Sequence, residues 1–188
     1  MEVVLLSGSN IGTKTRTAIN YTKKEFKEKY PDINVTLIDL AEYDVQLSDG
    51  RHYQEYEGDT KYVAEKIMQA DAIIVGTPIF QASIPGALKN VFDLLPENAL
   101  RNKVSSIIVT AGSPKHYLIA EQHLKPILAY MKSHVSQTYV FIEGKDLYRN
   151  EIINDDVIFR IQRLVEDTVT FTETYTQIQK IKDEQYGF

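Results

Sequence analysis

Cysteine is absent from this sequence. With it go disulfide bridges, thiolate nucleophiles and cysteine-ligated zinc or iron–sulfur centres, and an intracellular setting is favoured over a secreted one. The second shortage is of positive charge: 21 Lys and Arg against 26 Asp and Glu leave a formal net charge of -5. Phosphate backbones are bound mainly by clustered Lys and Arg, so a nucleic-acid partner is not expected. Long apolar runs are also missing. Met1 and Glu2 lead directly into Val3-Val4-Leu5-Leu6 without the basic flank and longer apolar core of a signal peptide, and no later run would span a bilayer. The expectation is a cytoplasmic protein with no membrane partner. What remains is ordinary for a globular chain: 188 residues, 43% hydrophobic and 25% charged. That is enough to bury a core as one domain over residues 1–188.

Two hydrophobic periods alternate along the chain. Val3 to Ser7, Asn34 to Asp39, Ala72 to Thr77, Val104 to Thr110 and Val135 to Ile142 are short and rich in Val and Ile, as expected of strands buried on both faces of a parallel sheet. Thr15 to Tyr30, Thr60 to Gln69, Gly86 to Leu95 and His116 to Ser133 carry helical patterns between them. Five strands alternating with helices predict an α/β doubly wound sheet. The C-terminal "TVTFTETYT" alternates like a strand, yet a stripe from Ile158 through Ile161, Val165, Thr172 and Ile178 continues beyond it, which predicts a long helix. The connection Tyr43 to Asp59 exceeds the usual length and reads as a functional lid or a mobile surface loop. Its Tyr53 and Tyr56, with Tyr43, either line an entrance or are plain surface aromatics.

"SGSNIGTKTR", Ser7 to Arg16, joins the first strand to the first helix. Open α/β sheets bind ligands there, and unpaired helix amides favour an anion. Gly8 and Gly12 permit close backbone approach, Ser9, Thr13 and Thr15 offer hydroxyls, and Lys14 and Arg16 offer charge; the competing reading is an ordinary capped turn. The loop lacks the Gly-Lys-Ser/Thr of a P-loop and the G-x-G-x-x-G of a classical dinucleotide fold. It also lacks the acidic residues by which a receiver domain holds magnesium. "GTPIFQASIPGALKNVFDLLP" leaves the third strand, and "TAGSPKHY" leaves the fourth on the same edge. Three such loops describe a mononucleotide site, with phosphate on the first and a flat ring on the others.

In order along the chain, "SGSNIGTKTR", "TPIFQASIPGALKNVFDLLP" and "VTAGSPKHYLIAEQHLKPIL" resemble the NADPH-dependent FMN reductase family of flavodoxin-like proteins, from Val3 to Phe141. The resemblance implies a five-stranded parallel sheet in the order 2-1-3-4-5. It also implies FMN as cofactor, with its phosphate on Ser9, Thr13, Lys14, Thr15 and Arg16, and its ring against Pro78, Ile79, Phe80 and Gln81 and against Ala111, Gly112 and Ser113. NADPH or NADH would deliver a hydride to the flavin, and a flavin, quinone or azo compound would collect the electrons. No catalytic acid or base is required; the amides of Gly112 and Ser113 would tune the reduced ring. Many family members carry Arg where this chain has Ile11, so Lys14 and Arg16 are its expected substitutes. Some relatives carry an inserted Tyr, with a local bulge, where this chain has Gln122, and that departure favours flavin kept as a prosthetic group. The third helix, with Lys89 and Asp93 four apart, commonly meets a partner chain in the family, implying a homodimer or homotetramer. His123 reads as a surface residue. The alternative function is a non-enzymatic flavodoxin-like electron carrier.

Overall fold

The computed structural model describes residues 1–186; Gly187 and Phe188, the end of the expected domain span, lie outside the described residues. Strands β1 (Glu2–Ser7), β2 (Asn34–Asp39), β3 (Ala72–Pro78) and β4 (Val104–Ala111) lie in the order β2-β1-β3-β4, all parallel. The fifth position holds two short pieces, β5 (His134–Val135) and β6 (Val140–Glu143), both parallel to β4. The expected order is thus present with its last strand interrupted. Ser136, buried in the gap, donates its N–H to Ser105 O at 2.8 Å and keeps the broken strand attached.

Both faces of the sheet are covered, which is why its strands are almost continuously apolar. Val3 and Leu5 face helices α1 (Lys14–Lys29) and α5 (Asp155–Tyr186). Val4 and Leu6 face α2 (Gly58–Gln69), α3 (Gly86–Asp93) and α4 (Lys125–Tyr130). Helix α1 turns Thr15, Ala18, Ile19, Thr22 and Phe26 inward at three- and four-residue spacing. Fully burying a side chain such as Ile19 or Phe26 contributes on the order of 1.5–3 kcal/mol. Strand β4 is additionally tied by hydroxyl pairs: Thr110 to Thr15 of α1 at 2.7 Å, Ser106 to Thr168 of α5 at 2.7 Å, and Ser105 to Ser133 at 2.6 Å.

The C-terminal helix is formed as expected, and its threonines explain how. Thr168, Thr172, Thr174 and Thr176 each donate a hydroxyl hydrogen bond to the carbonyl four residues back. The β-branched side chains are thereby accommodated within the helix rather than diverting it.

Two expectations are corrected here, and one element was not anticipated. The helix expected over His116 to Ser133 is broken into a 3-10 turn at Pro114–His116, a π-helical turn at Ala120–Leu124 and the short α4, where Pro126 starts the α-helical part. The local bulge is therefore present with Gln122 in it, and the lack of an inserted Tyr no longer argues for a permanently held flavin. A small antiparallel hairpin, β7 (Leu147–Tyr148) and β8 (Glu151–Ile152), follows the sheet. Its tip residues Arg149 and Asn150 have φ of 47° and 62°, a tight turn without the glycine that would have signalled it.

The connection from Tyr43 to Asp59 is anchored along its length, and Tyr56 is a core residue rather than a surface or entrance aromatic. Tyr56 is only 1% exposed, and its hydroxyl donates to Asp49 Oδ1 at 2.8 Å while accepting the Asp49 N–H at 3.0 Å. Asn90 of α3 accepts the Ser48 N–H at 2.9 Å and donates to Gln46 O at 2.8 Å. Tyr43 stacks on Tyr62 of α2 with centroids 5.6 Å apart. The segment is a strap stitched across α2 and α3.

Candidate active site at the carboxyl edge of the sheet

The loop after β1 is shaped by close packing. Gly8 donates its N–H to Gly76 O at 2.8 Å, and a Cβ at Gly8 would lie 2.8–2.9 Å from Leu88 and from that carbonyl, so no other residue fits there. Gly12, at φ of 82°, supplies the left-handed turn into α1. Ser9, 4% exposed, turns its hydroxyl back onto its own loop, donating to Ile11 O at 2.5 Å and accepting the Ile11 N–H at 3.3 Å. It holds the loop's shape.

Helix α1 begins with Thr13 at its N-cap, and that hydroxyl makes no capping hydrogen bond. The first amides of the helix are thus left for an external acceptor, at the positive end of its dipole. Lys14 makes no ion pair among the described residues; its Nζ lies where a Cβ on Gly144, at the end of β6, would be 2.8 Å away. Arg16 is differently placed. Its Nε is bonded to Asp39 at the end of β2, and its guanidinium also meets Glu42 at 3.7 Å. Asp39 is 2% exposed, so Arg16 neutralises a buried carboxylate, and Lys14 is the uncommitted cation of the loop.

A cleft of about 350 Å³ opens between residues 11–15, 78–80 and 110–112. It brings together Thr13, Lys14, Thr15, Pro78, Ile79, Phe80, Ala111 and Gly112 from the sequence-based set. Ser9, Arg16, Gln81 and Ser113 do not line it. Gln81 is exposed at a turn tip with φ of 47°, and the Ser113 hydroxyl accepts the Lys115 N–H at 3.3 Å, capping the next 3-10 turn. Ile11, Gly12 and Thr110 complete the lining. Thr110 is opposite Pro78 in the β3–β4 register, so strand alignment was the signal that would have placed it. Its hydroxyl and that of Thr15 form a buried pair within the cleft lining.

One wall is therefore flat and apolar, from Pro78, Ile79 and Phe80. Another carries helix amides, hydroxyls and a lysine. Such a cleft suits a ligand with a planar ring at one end and an anion at the other. A larger depression of about 640 Å³ runs along α1 from Thr13 and Arg16 to Lys24 and is closed by Asn150–Ile152; Pro78–Phe80 and Thr110–Gly112 do not line it. Among the described residues no group of His, Asp and Glu is placed to hold a metal ion, and no helix is long and apolar enough to cross a membrane.

Comparison with known proteins identifies the family. The model of the NADPH-dependent FMN reductase family matches residues 1–146. An NAD(P)H-dependent FAD/FMN reductase of Geobacillus thermodenitrificans is 37% identical over 170 residues, covering 90% of this chain and 92% of its own. An NADPH azoreductase of a Bacillus species is 24% identical over 189 residues, covering 100% and 99% of the two chains. Among solved structures, an apo NADH:FMN oxidoreductase superposes with a TM-score of 0.76 at 24% identity, over 92% of this chain and 89% of that one. With the family model spanning all three cleft loops, this chain belongs to the NADPH-dependent FMN reductase family, and is an oxidoreductase that works with FMN and a reduced nicotinamide nucleotide.

Proposed function

We propose that the cleft is the FMN site, and that the protein passes electrons from NADPH or NADH through FMN to a small acceptor: a free flavin, a quinone or an azo compound. One observation carries the assignment. A lysine that makes no ion pair among the described residues, a helix N-terminus without a side-chain cap and a flat apolar wall meet in the lining of one cleft at the carboxyl edge of the sheet. Lys14, Thr13 and the first amides of α1 hold the phosphate, a dianion that suits both the charge and the dipole. Pro78, Ile79 and Phe80 receive the ring on one side, and Ala111 and Gly112 border its other edge. Ser9 and Arg16 act through loop shape, and Gln81 and Ser113 at the rim.

Bound FMN supplies the redox chemistry itself, taking a hydride from the nicotinamide and giving up electrons to the acceptor. The chain's own part is to bind, orient and tune. The backbone amides of Gly112 and Ser113, on the loop after β4 that borders the cleft, would favour the reduced and more negative form of a bound ring. No side-chain acid or base is assigned to the reaction. Turnover is tested by following oxidation of NADPH and of NADH with and without added FMN, in the presence of each acceptor class. An electron carrier of the flavodoxin type would bind FMN and leave both nucleotides intact.

We also propose that the protein works in the cytoplasm as a homodimer or homotetramer. The exposed side of α3 and α4 supports this reading. Lys89 and Asp93 form an ion pair at 2.6 Å there, beside Tyr130, which is 62% exposed. Light scattering of the purified protein tests it.

A further inference from the structure

Two residues that are neither Gly nor Asn occupy the left-handed region at the tip of the second cleft loop: Gln81 at φ of 47° and Ala82 at φ of 57°. Phe80 and Ser83, which flank them, exchange both backbone hydrogen bonds at 2.9 Å each. Residues 80–83 thus form a two-residue turn of the kind usually built from Asn-Gly, because side chains on L-residues resist positive φ. A turn made from Gln-Ala is held only where its surroundings over-determine it, and such strain gathers at functional sites.

The surroundings supply one specific brace. The Ser83 hydroxyl is 3.0 Å from Nδ1 of His123. His123 belongs to the π-helical turn at Ala120–Leu124, far along the chain and on the far side of β4 in sequence. A π turn contains one residue more than an α turn, which rotates the side chains that follow by about 100° relative to an unbroken helix. Without that extra residue a different side chain would be presented to the turn. Both partners can donate or accept, so the bond forms with either imidazole tautomer. The sequence had marked His123 as a plain surface residue. It is exposed, but its ring is engaged.

We propose that His123 is a positioning residue for the flavin cleft: through Ser83 it holds the Phe80–Ser83 turn in its left-handed form and so fixes Ile79 and Phe80 in the cleft wall. The π turn then has a role in this chain, which is to deliver the imidazole to the loop that carries the ring wall. The proposal rests on the reading of the cleft as the FMN site, and the test separates the two.

FMN is titrated by quenching of its fluorescence into the wild-type protein, His123→Ala, Ser83→Ala, the His123→Ala/Ser83→Ala double variant, and His123→Ala combined with Ala82→Gly, with thermal unfolding followed in parallel. Loss of the brace should weaken FMN binding about three- to tenfold in either single variant, without a further loss when both are combined. The melting temperature should hold, since His123 is exposed. Glycine carries no penalty at positive φ, so Ala82→Gly should restore the His123→Ala protein to within about twofold of wild type. A role in stability alone would instead lower the melting temperature with FMN affinity intact, and Ala82→Gly would restore nothing. Unchanged FMN affinity in His123→Ala, or no rescue by Ala82→Gly, would overturn the brace while leaving the FMN site standing. Absence of FMN binding in the wild-type protein would overturn both.

Discussion

Lys14 and Arg16 sit two residues apart in a basic loop, yet only Arg16 is ion-paired among the described residues, and replacing each by alanine should separate affinity from stability. Arg16 is bonded to Asp39, which is 2% exposed and whose carboxylate, among the described residues, otherwise accepts the Ala41 N–H at 3.2 Å. Removing Arg16 leaves that carboxylate buried and poorly compensated, a loss on the order of 1–3 kcal/mol. The low end is expected because Arg16 is itself 39% exposed and water screens the pair. At about 2–4 °C per kcal/mol for a chain of this size, Arg16→Ala should melt roughly 2–4 °C below wild type. Lys14 has no such partner among the described residues, so Lys14→Ala should leave the melting temperature within about 1 °C. If Lys14 holds the phosphate as proposed, the substitution removes a charge-assisted contact instead, on the order of 1.5–3 kcal/mol, or about 10- to 150-fold in FMN affinity. Thermal unfolding of the apo-protein and fluorescence titration of FMN read the two effects independently. The reasoning is refuted if Lys14→Ala binds FMN as tightly as wild type, or if Arg16→Ala loses affinity at an unchanged melting temperature.

Thr110→Val should cost about 1–3 kcal/mol in urea unfolding by leaving the Thr15 hydroxyl buried and unpaired, while the Thr15→Val/Thr110→Val double variant should recover most of that loss. Tyr56→Phe removes the hydroxyl that closes the 43–59 strap. It should lower stability by about 1 kcal/mol and raise the rate of limited proteolysis within the strap, read by mass spectrometry of the fragments. Burial pushes the Glu25 carboxyl up, but hydrogen bonds with Tyr21 and Gln162 and the Lys29 ammonium at 3.4 Å outweigh it and hold the group below its ordinary value. Ionised Glu25 therefore stabilises the fold above the ordinary carboxylate range, and this contribution is lost as pH falls through the depressed folded-state value. Glu25→Gln should flatten the acid limb of a stability–pH profile and leave its alkaline side in place.

Much of the fold was legible because burial on both sheet faces forces a pattern that survives without context. The span Asn34 to Asp39 is the same in sequence and structure, and β1, β3 and β4 differ from expectation by a residue at an end. The cleft was legible for a similar reason: its three loops follow three of those strands. The departures are tertiary. The ion pair of Arg16 with Asp39, 23 residues on, was not legible from the loop's local pattern of hydroxyls and basic residues. Tyr56 reads as a surface aromatic until its hydroxyl finds Asp49. The apolar spacing from His116 to Ser133 permits one helix, and local spacing cannot reveal that a π turn re-phases it. The β7–β8 tip was missed because Arg149 and Asn150 adopt positive φ without a glycine between them.

The central claim, that this cleft makes the protein a nicotinamide-dependent flavin reductase, is tested most directly by an anaerobic visible spectrum of the FMN-reconstituted protein before and after addition of NADPH, and then of NADH. Prompt bleaching of the flavin band with either nucleotide, slowed in step with FMN occupancy in Lys14→Ala, is the predicted result. Bound FMN that keeps its oxidised spectrum with both nucleotides would contradict the claim and leave an electron carrier in its place.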